Sequence, residues 1–191
     1  MIKYISNKMA ACTRTASLDQ AMAHLEDLGI NLLALDFDQT ILNTHTGGRW
    51  QGTVEELLPH TRKELTDLMR AAKDCRMELT VVTFTGQIHL VRAVLEHIVG
   101  PQAAERIPIR GNDRSWTYVG AGSMYGKQPH MASAVEELLA NNPGMKITKA
   151  TTVLIDDDRK NIRYALKDGT RAIWFNPDKP ERLYSDIVGL E

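Results

Sequence analysis

At 191 residues, 43% hydrophobic and 25% charged, the chain has the size and composition of one globular domain that can bury a substantial core. A net charge of −1 excludes a bulk pull towards nucleic acid or acidic membrane. Two cysteines, Cys12 and Cys75, are too few for a disulfide framework and lack zinc-ligand spacing, so both are expected as reduced thiols.

Residues 1–15 show no clear period and are expected to be a loosely ordered extension of a single domain covering 1–191. Residues 1–12 lack the apolar core of a signal peptide, and no run approaches a transmembrane length, so a cytoplasmic protein that does not engage membranes is the default expectation. Ser17 is placed to cap a helix on which Leu18, Met22, Leu25 and Leu28 recur at helical spacing, with Gly29 ending it. Leu32 to Leu35 form an apolar run, the pattern of a strand buried on both faces of a parallel sheet. It ends abruptly in Asp36 and Asp38, followed by Thr40.

Residues 43–53 contain Gly47, Gly48 and Gly52 and predict a flap beside those acids. Within it Trp50 fits either packing or a ring facing a substrate. His45 and His60 are expected as surface or loop residues, because no His or Cys stands beside them at metal spacing. A helical segment over 54–73, divided by Pro59, leads to a second strand over 79–85, rich in β-branched residues. A helix over 88–99 follows, with His89 and His97 partly exposed and Gly100-Pro101 as its stop.

Residues 106–110 fit a short third strand and 115–119 a small hairpin. Gly120, Gly122 and Gly126 do not make a dinucleotide-binding fingerprint. A helix over 129–140, a strand over 151–155 closing on Asp156, Asp157 and Asp158, a helix over 160–167, a strand over 171–175 and a helix over 181–188 complete the chain. Strands alternating with helices predict an α/β fold: a three-layer, Rossmann-like parallel sheet of about five strands with helices on both faces.

Four places fall at or beyond the carboxyl ends of predicted strands: Asp36 and Asp38, Thr83 and Thr85, Lys127, and Asp156 with Asp157. In a parallel sheet those ends share one edge, where open α/β sheets bind ligands. Two acids one residue apart repel unless a cation lies between them or one is protonated. Acids, a hydroxyl and a lysine are what magnesium-dependent phosphoryl transfer uses.

Asp36-Phe-Asp-Gln-Thr40 resembles the Asp-x-Asp-x-Thr motif of the haloacid dehalogenase superfamily, and the later stations occur in that family's order. The match runs over residues 30–176. The resemblance implies a magnesium-dependent phosphatase acting through a phosphoaspartate. In it Asp36 is the nucleophile and Asp38 the general acid and base. Thr83, with Thr85 as the alternative, binds phosphate together with the Phe84 backbone amide. Lys127 is the balancing cation. Magnesium is held by the Asp36 carboxylate, the Asp38 carbonyl and Asp157, with Asp156 direct or through water. Asp158 is expected to cap the next helix, and Asn161 is a weaker site candidate.

Neither usual insertion point has room for a full cap domain, which implies a minimal cap, the flap alone. The expected substrate is then large, a phosphoprotein or a nucleic-acid end. Arg49, Trp50, Arg106, Arg110 and Arg114 are candidate substrate contacts. A response-regulator receiver would need far more chain after Asp158 and is excluded. Two alternatives stay open: a phosphotransferase or mutase on a small metabolite, and an inactive phosphate- or metal-binding protein of the same fold. Oligomeric state is not legible.

Overall fold

The computed structural model describes residues 16–191. The expected N-terminal extension and Cys12 lie outside them. The chain folds as α1 (Leu18–Asp27), β1 (Leu32–Leu35), α2 (Val54–Leu57), α3 (Lys63–Asp74), β2 (Glu78–Val82), α4 (Ile88–Val99), α5 (Pro101–Glu105), β3 (Ile109–Arg110), α6 (Gln128–Asn141), β4 (Thr152–Asp156), α7 (Arg159–Lys167), β5 (Arg171–Trp174) and α8 (Leu183–Val188). The strands form one all-parallel sheet in the order β3-β2-β1-β4-β5.

β1 is the central strand, and all four of its side chains are buried. Alternation along it divides the core. Leu33 and Leu35 join Leu79, Val81, Val153 and Ile155 beneath apolar residues of α1, α3, α4 and α8. Ala34 faces the other way with Val82 and Leu154, against Met131 of α6 and Ile162 and Ala165 of α7. This is the two-sided burial that makes a parallel strand apolar throughout.

The helix starts follow local chemistry. The Ser17 hydroxyl accepts from the Gln20 N–H at 3.2 Å, and the Gln20 side chain accepts from the Ser17 N–H at 2.9 Å, a closed capping box. Thr53 and Glu56 do the same for α2.

α4 ends at Val99 with Gly100 as its cap, as expected, and Pro101 begins the separate α5, a position where its fixed φ and missing N–H cost nothing. Two expectations change. The second strand stops at Val82, and 83–87 form a loop whose backbone N–H groups turn onto Thr83 and Thr85. The hairpin over 115–119 is not formed. Arg114 takes a left-handed φ of 63°, and the Trp116 indole turns back to donate to the Gly111 carbonyl at 2.7 Å. No described helix is long and apolar enough to cross a membrane.

Candidate active site

Strand register brings the predicted groups to one edge. Leu35 pairs with Val81 and with Ile155, so the next residue along, Asp36, stands level with Val82 and Asp156. The edge opens into a cavity of about 760 Å³ lined by Asp36, Asp38, Thr83, Phe84, Thr85, Lys127, Asp156 and Asp157. Eight of the nine residues predicted for the site therefore share it. The ninth, Trp50, does not line it. Its indole donates to the Thr53 carbonyl at 3.0 Å, and its ring packs on the core and edge-on to His60. The packing alternative is the one realised.

Lys127 is 1% exposed, the strongest departure among the described residues from ordinary lysine behaviour. Its ammonium donates to Asp36 Oδ1 at 2.7 Å and to the Val82 carbonyl at 2.8 Å, and it lies 4.0 Å from the Phe84 ring centre. Gly126 places it there. Its φ is +58°, and a Cβ at this position would meet Tyr164 at 2.9 Å and Asn161 at 3.1 Å. Glycine is the residue that tolerates both constraints.

Asp156 is fully buried, with Oδ1 accepting from the Asp158 N–H at 2.8 Å and Oδ2 from Asn161 Nδ2 at 2.9 Å. Asp158 caps α7 as expected, accepting from the Lys160 N–H at 2.8 Å. Thr40 secures the neighbouring acid: its hydroxyl oxygen accepts from the Asp157 N–H at 3.2 Å.

Carboxylate oxygens of Asp36, Asp156 and Asp157 lie within 4.8 Å of one another. At that spacing, like charges repel by roughly 3–4 kcal/mol per pair at an effective dielectric of about 20. The acids respond accordingly. Burial and then the Asp36 charge push Asp156 to about 7 and Asp157 to about 6. Burial also raises Asp36, against the pull of Lys127. One ammonium does not balance three carboxylates. The cluster is an all-oxygen donor set with excess negative charge, which fits a hard divalent cation such as magnesium.

The opposite wall is the loop over 83–87. Thr83 and Thr85 are both buried and both face the cavity, while the Phe84 ring is 49% exposed at its mouth. Gly111 lets the next loop press against this one: a Cβ there would lie 2.4 Å from the Thr85 carbonyl.

The predicted arginine contacts go elsewhere. Arg110 is buried, donating to Ser133 and, at 2.6 Å, to Glu137 of α6, so its charge is used inside the fold. Arg106 sits beside Glu78, at the far end of β2 from the cavity. Arg114 lines a separate depression with Gly111, Asn112 and Trp116. Arg49 is exposed and does not line the cavity.

The sequence did not point to several wall residues. Arg159 stacks 3.4 Å from the Trp174 ring centre, and both line the rim. His45 belongs to the wall as well, with Nδ1 2.9 Å from Asp38 Oδ2. Their signal was position alone, one residue after a helix cap and seven residues after an acid.

No family model and no curated protein matches the chain. Among solved structures, it is similar to the N-terminal part of protein BF1531 from Bacteroides fragilis, containing a phosphatase domain complexed with Mg, at 15% identity and a TM-score of 0.56. That match covers 90% of this chain and 43% of the other. An uncharacterized protein from Corynebacterium glutamicum aligns at 16% identity and a TM-score of 0.49, over 85% of this chain and 97% of the other. A hypothetical protein from Xanthomonas campestris aligns at 10% identity and a TM-score of 0.46, over 98% and 91%. At these identities the likeness to the Bacteroides structure is one of fold, a parallel α/β sheet here carrying a buried aspartate cluster.

Proposed function

We propose that the chain is a magnesium-dependent phosphatase of the haloacid dehalogenase type, hydrolysing a phosphomonoester through a phosphoaspartate on Asp36. One observation carries this: a fully buried lysine grips one oxygen of Asp36 inside a cluster of three acids at the carboxyl edge of the sheet. A salt bridge kept only for stability gains little from such a site, since burying the charges costs as much as their pairing returns. The fold shared with a magnesium-bound phosphatase domain agrees with the reading.

Asp36, Asp156 and Asp157 would hold magnesium, which when bound neutralises the acids and draws charge from the phosphoryl oxygens. Lys127 fixes the Asp36 carboxylate through Oδ1, leaving Oδ2 to attack phosphorus. As the new O–P bond forms, the bond to the substrate oxygen breaks, and Asp38 gives that oxygen a proton. Asp38 then takes a proton from the water that attacks the phosphoaspartate, releasing phosphate and restoring Asp36. Thr83, Phe84 and Thr85 line the cavity where the phosphoryl oxygens would lie, and the Thr hydroxyls and the Phe84 backbone N–H would be their donors.

The cavity is walled by a flap and not by a cap domain, which supports a large substrate, a phosphoprotein or nucleic-acid end presenting its phosphate from outside. The test is hydrolysis of p-nitrophenyl phosphate with magnesium or with EDTA, by wild type and Asp36→Asn. The reading expects turnover that needs magnesium and disappears in the variant. Folded wild type that binds magnesium yet turns over no phosphomonoester would contradict it.

A further inference from the structure

We propose, on the phosphatase reading, that His45 and Thr46 are positioning residues. The flap holds the proton-transferring carboxyl of Asp38 in place and so sets how well the enzyme expels a poor leaving group.

Asp38 sits in a tight turn, Phe37–Ile41, broken by its own extended backbone (φ −68°, ψ 135°) and by a left-handed Gln39 at φ 59°. That break turns Asp38 towards the flap. Thr46 Oγ1 donates to Asp38 Oδ2 at 2.9 Å. The Gly48 N–H donates into the same hydroxyl at 3.3 Å, which leaves the Thr46 proton directed at Asp38. His45 Nδ1 lies 2.9 Å from the same Oδ2 and 3.3 Å from the Gly47 N–H. A protonated Nδ1 donates to Asp38; a bare Nδ1 accepts the Asp38 proton instead. Both states hold the carboxyl in one orientation. Oδ1 is buried without a partner. Among the described residues, every hydrogen bond to the Asp38 carboxyl therefore comes from the flap.

The flap itself is pinned at both ends. The Asn43 N–H donates to the His60 carbonyl at 2.8 Å. At the other end the Gln87 side chain clamps Trp50, accepting from its N–H at 2.6 Å and donating to its carbonyl at 2.9 Å. Gln87 immediately precedes α4 and ends the 83–87 loop. The flap thus ties the proton-transfer group to the opposite wall of the cavity. Position matters at this scale, since misplacing a reacting group by about 1 Å can cost on the order of 100-fold.

Leaving-group chemistry separates this role from a merely structural one. A p-nitrophenolate leaves readily without a proton, whereas an alkoxide needs one. Misplacing Asp38 should therefore penalise an alkyl phosphate far more than an aryl one, while general loosening of the fold penalises both alike.

The experiment measures kcat/KM on p-nitrophenyl phosphate and on glycerol 2-phosphate with saturating magnesium. It compares wild type with Thr46→Val, Thr46→Ser, His45→Ala and His45→Asn. The His45 side chain is 70% exposed, so removing it opens no core. Thr46→Val and His45→Ala are expected to lose about 10- to 100-fold more on the alkyl substrate than on the aryl one. Thr46→Ser and His45→Asn, which keep a donor, should recover most of that difference. Equal losses on the two substrates, or no loss, would overturn the flap's role and leave the phosphatase reading standing. A wild type inert on both substrates would remove both.

Discussion

The two sides of the cavity are built on different principles. The acidic side is made of strand ends: Asp36 follows β1 and Asp156 closes β4, and register alone sets them level. The flap side is made of loop hydrogen bonds, in which exposed His45, buried Thr46 and half-buried Gln87 are held by polar contacts. Burial gives the first side its chemistry, by raising carboxyl pKa values and forcing Lys127 into a pair. It gives the second almost none. The acidic side should thus fail sharply when altered, and the flap should fail by degrees.

The largest effect is expected from Lys127→Met. It removes the partner of a buried carboxylate, which costs about 3–5 kcal/mol. Turnover should fall below detection and the melting temperature should drop, both measured on the purified variant. Retained activity would show that the acidic side is less tightly coupled than its geometry implies. Next is Asn161→Ala, which strips Asp156 Oδ2 of its donor. On the proposed reading Asp156 holds magnesium, and loss of a group that orients a metal ligand typically lowers affinity about 10- to 100-fold, measurable as the magnesium concentration needed for half-maximal activity.

Smaller again is the effect of pH on the metal-free protein. Asp156 and Asp157 titrate near 7 and 6 in the folded chain, against an ordinary value of 3.8. Between those limits the folded state binds more protons than the unfolded one, so stability is greatest below about 4 and is lost as pH rises through 6 and 7. In EDTA the melting temperature should fall from pH 5 to pH 8. Saturating magnesium should flatten that slope, so its stabilising effect grows with pH. Parallel slopes with and without magnesium would remove the cation from the acidic cluster. The smallest effect belongs to the flap: Gln87→Ala breaks its clamp on Trp50 and should cost about 1 kcal/mol of stability per hydrogen bond lost, with little change in magnesium affinity.

The same contrast decides what the sequence could tell. Asp36, Asp156 and the alternating helices were legible because burial and register act through residue type and spacing. Lys127 was reachable as a charge after the third strand, though its depth was not, because that depth rests on the left-handed φ and crowded neighbours of Gly126, which residue type alone does not show. The flap contacts were hidden because they depend on a left-handed Gln39, a conformation that glutamine does not advertise. Arg110 misled for the opposite reason. It ends a two-residue strand covered by α6, and it satisfies its charge on Glu137 from that helix, a partner 27 residues away.

The most direct test of the account is to trap the phosphorylated enzyme. Wild type mixed with substrate and magnesium would be quenched in acid and reduced with borohydride, which converts an acyl phosphate on aspartate to homoserine. The peptide carrying residue 36 would then be sequenced by mass spectrometry. The account predicts homoserine at Asp36, dependent on substrate and magnesium. Turnover without modification there, or with the modification on another acid, would contradict it.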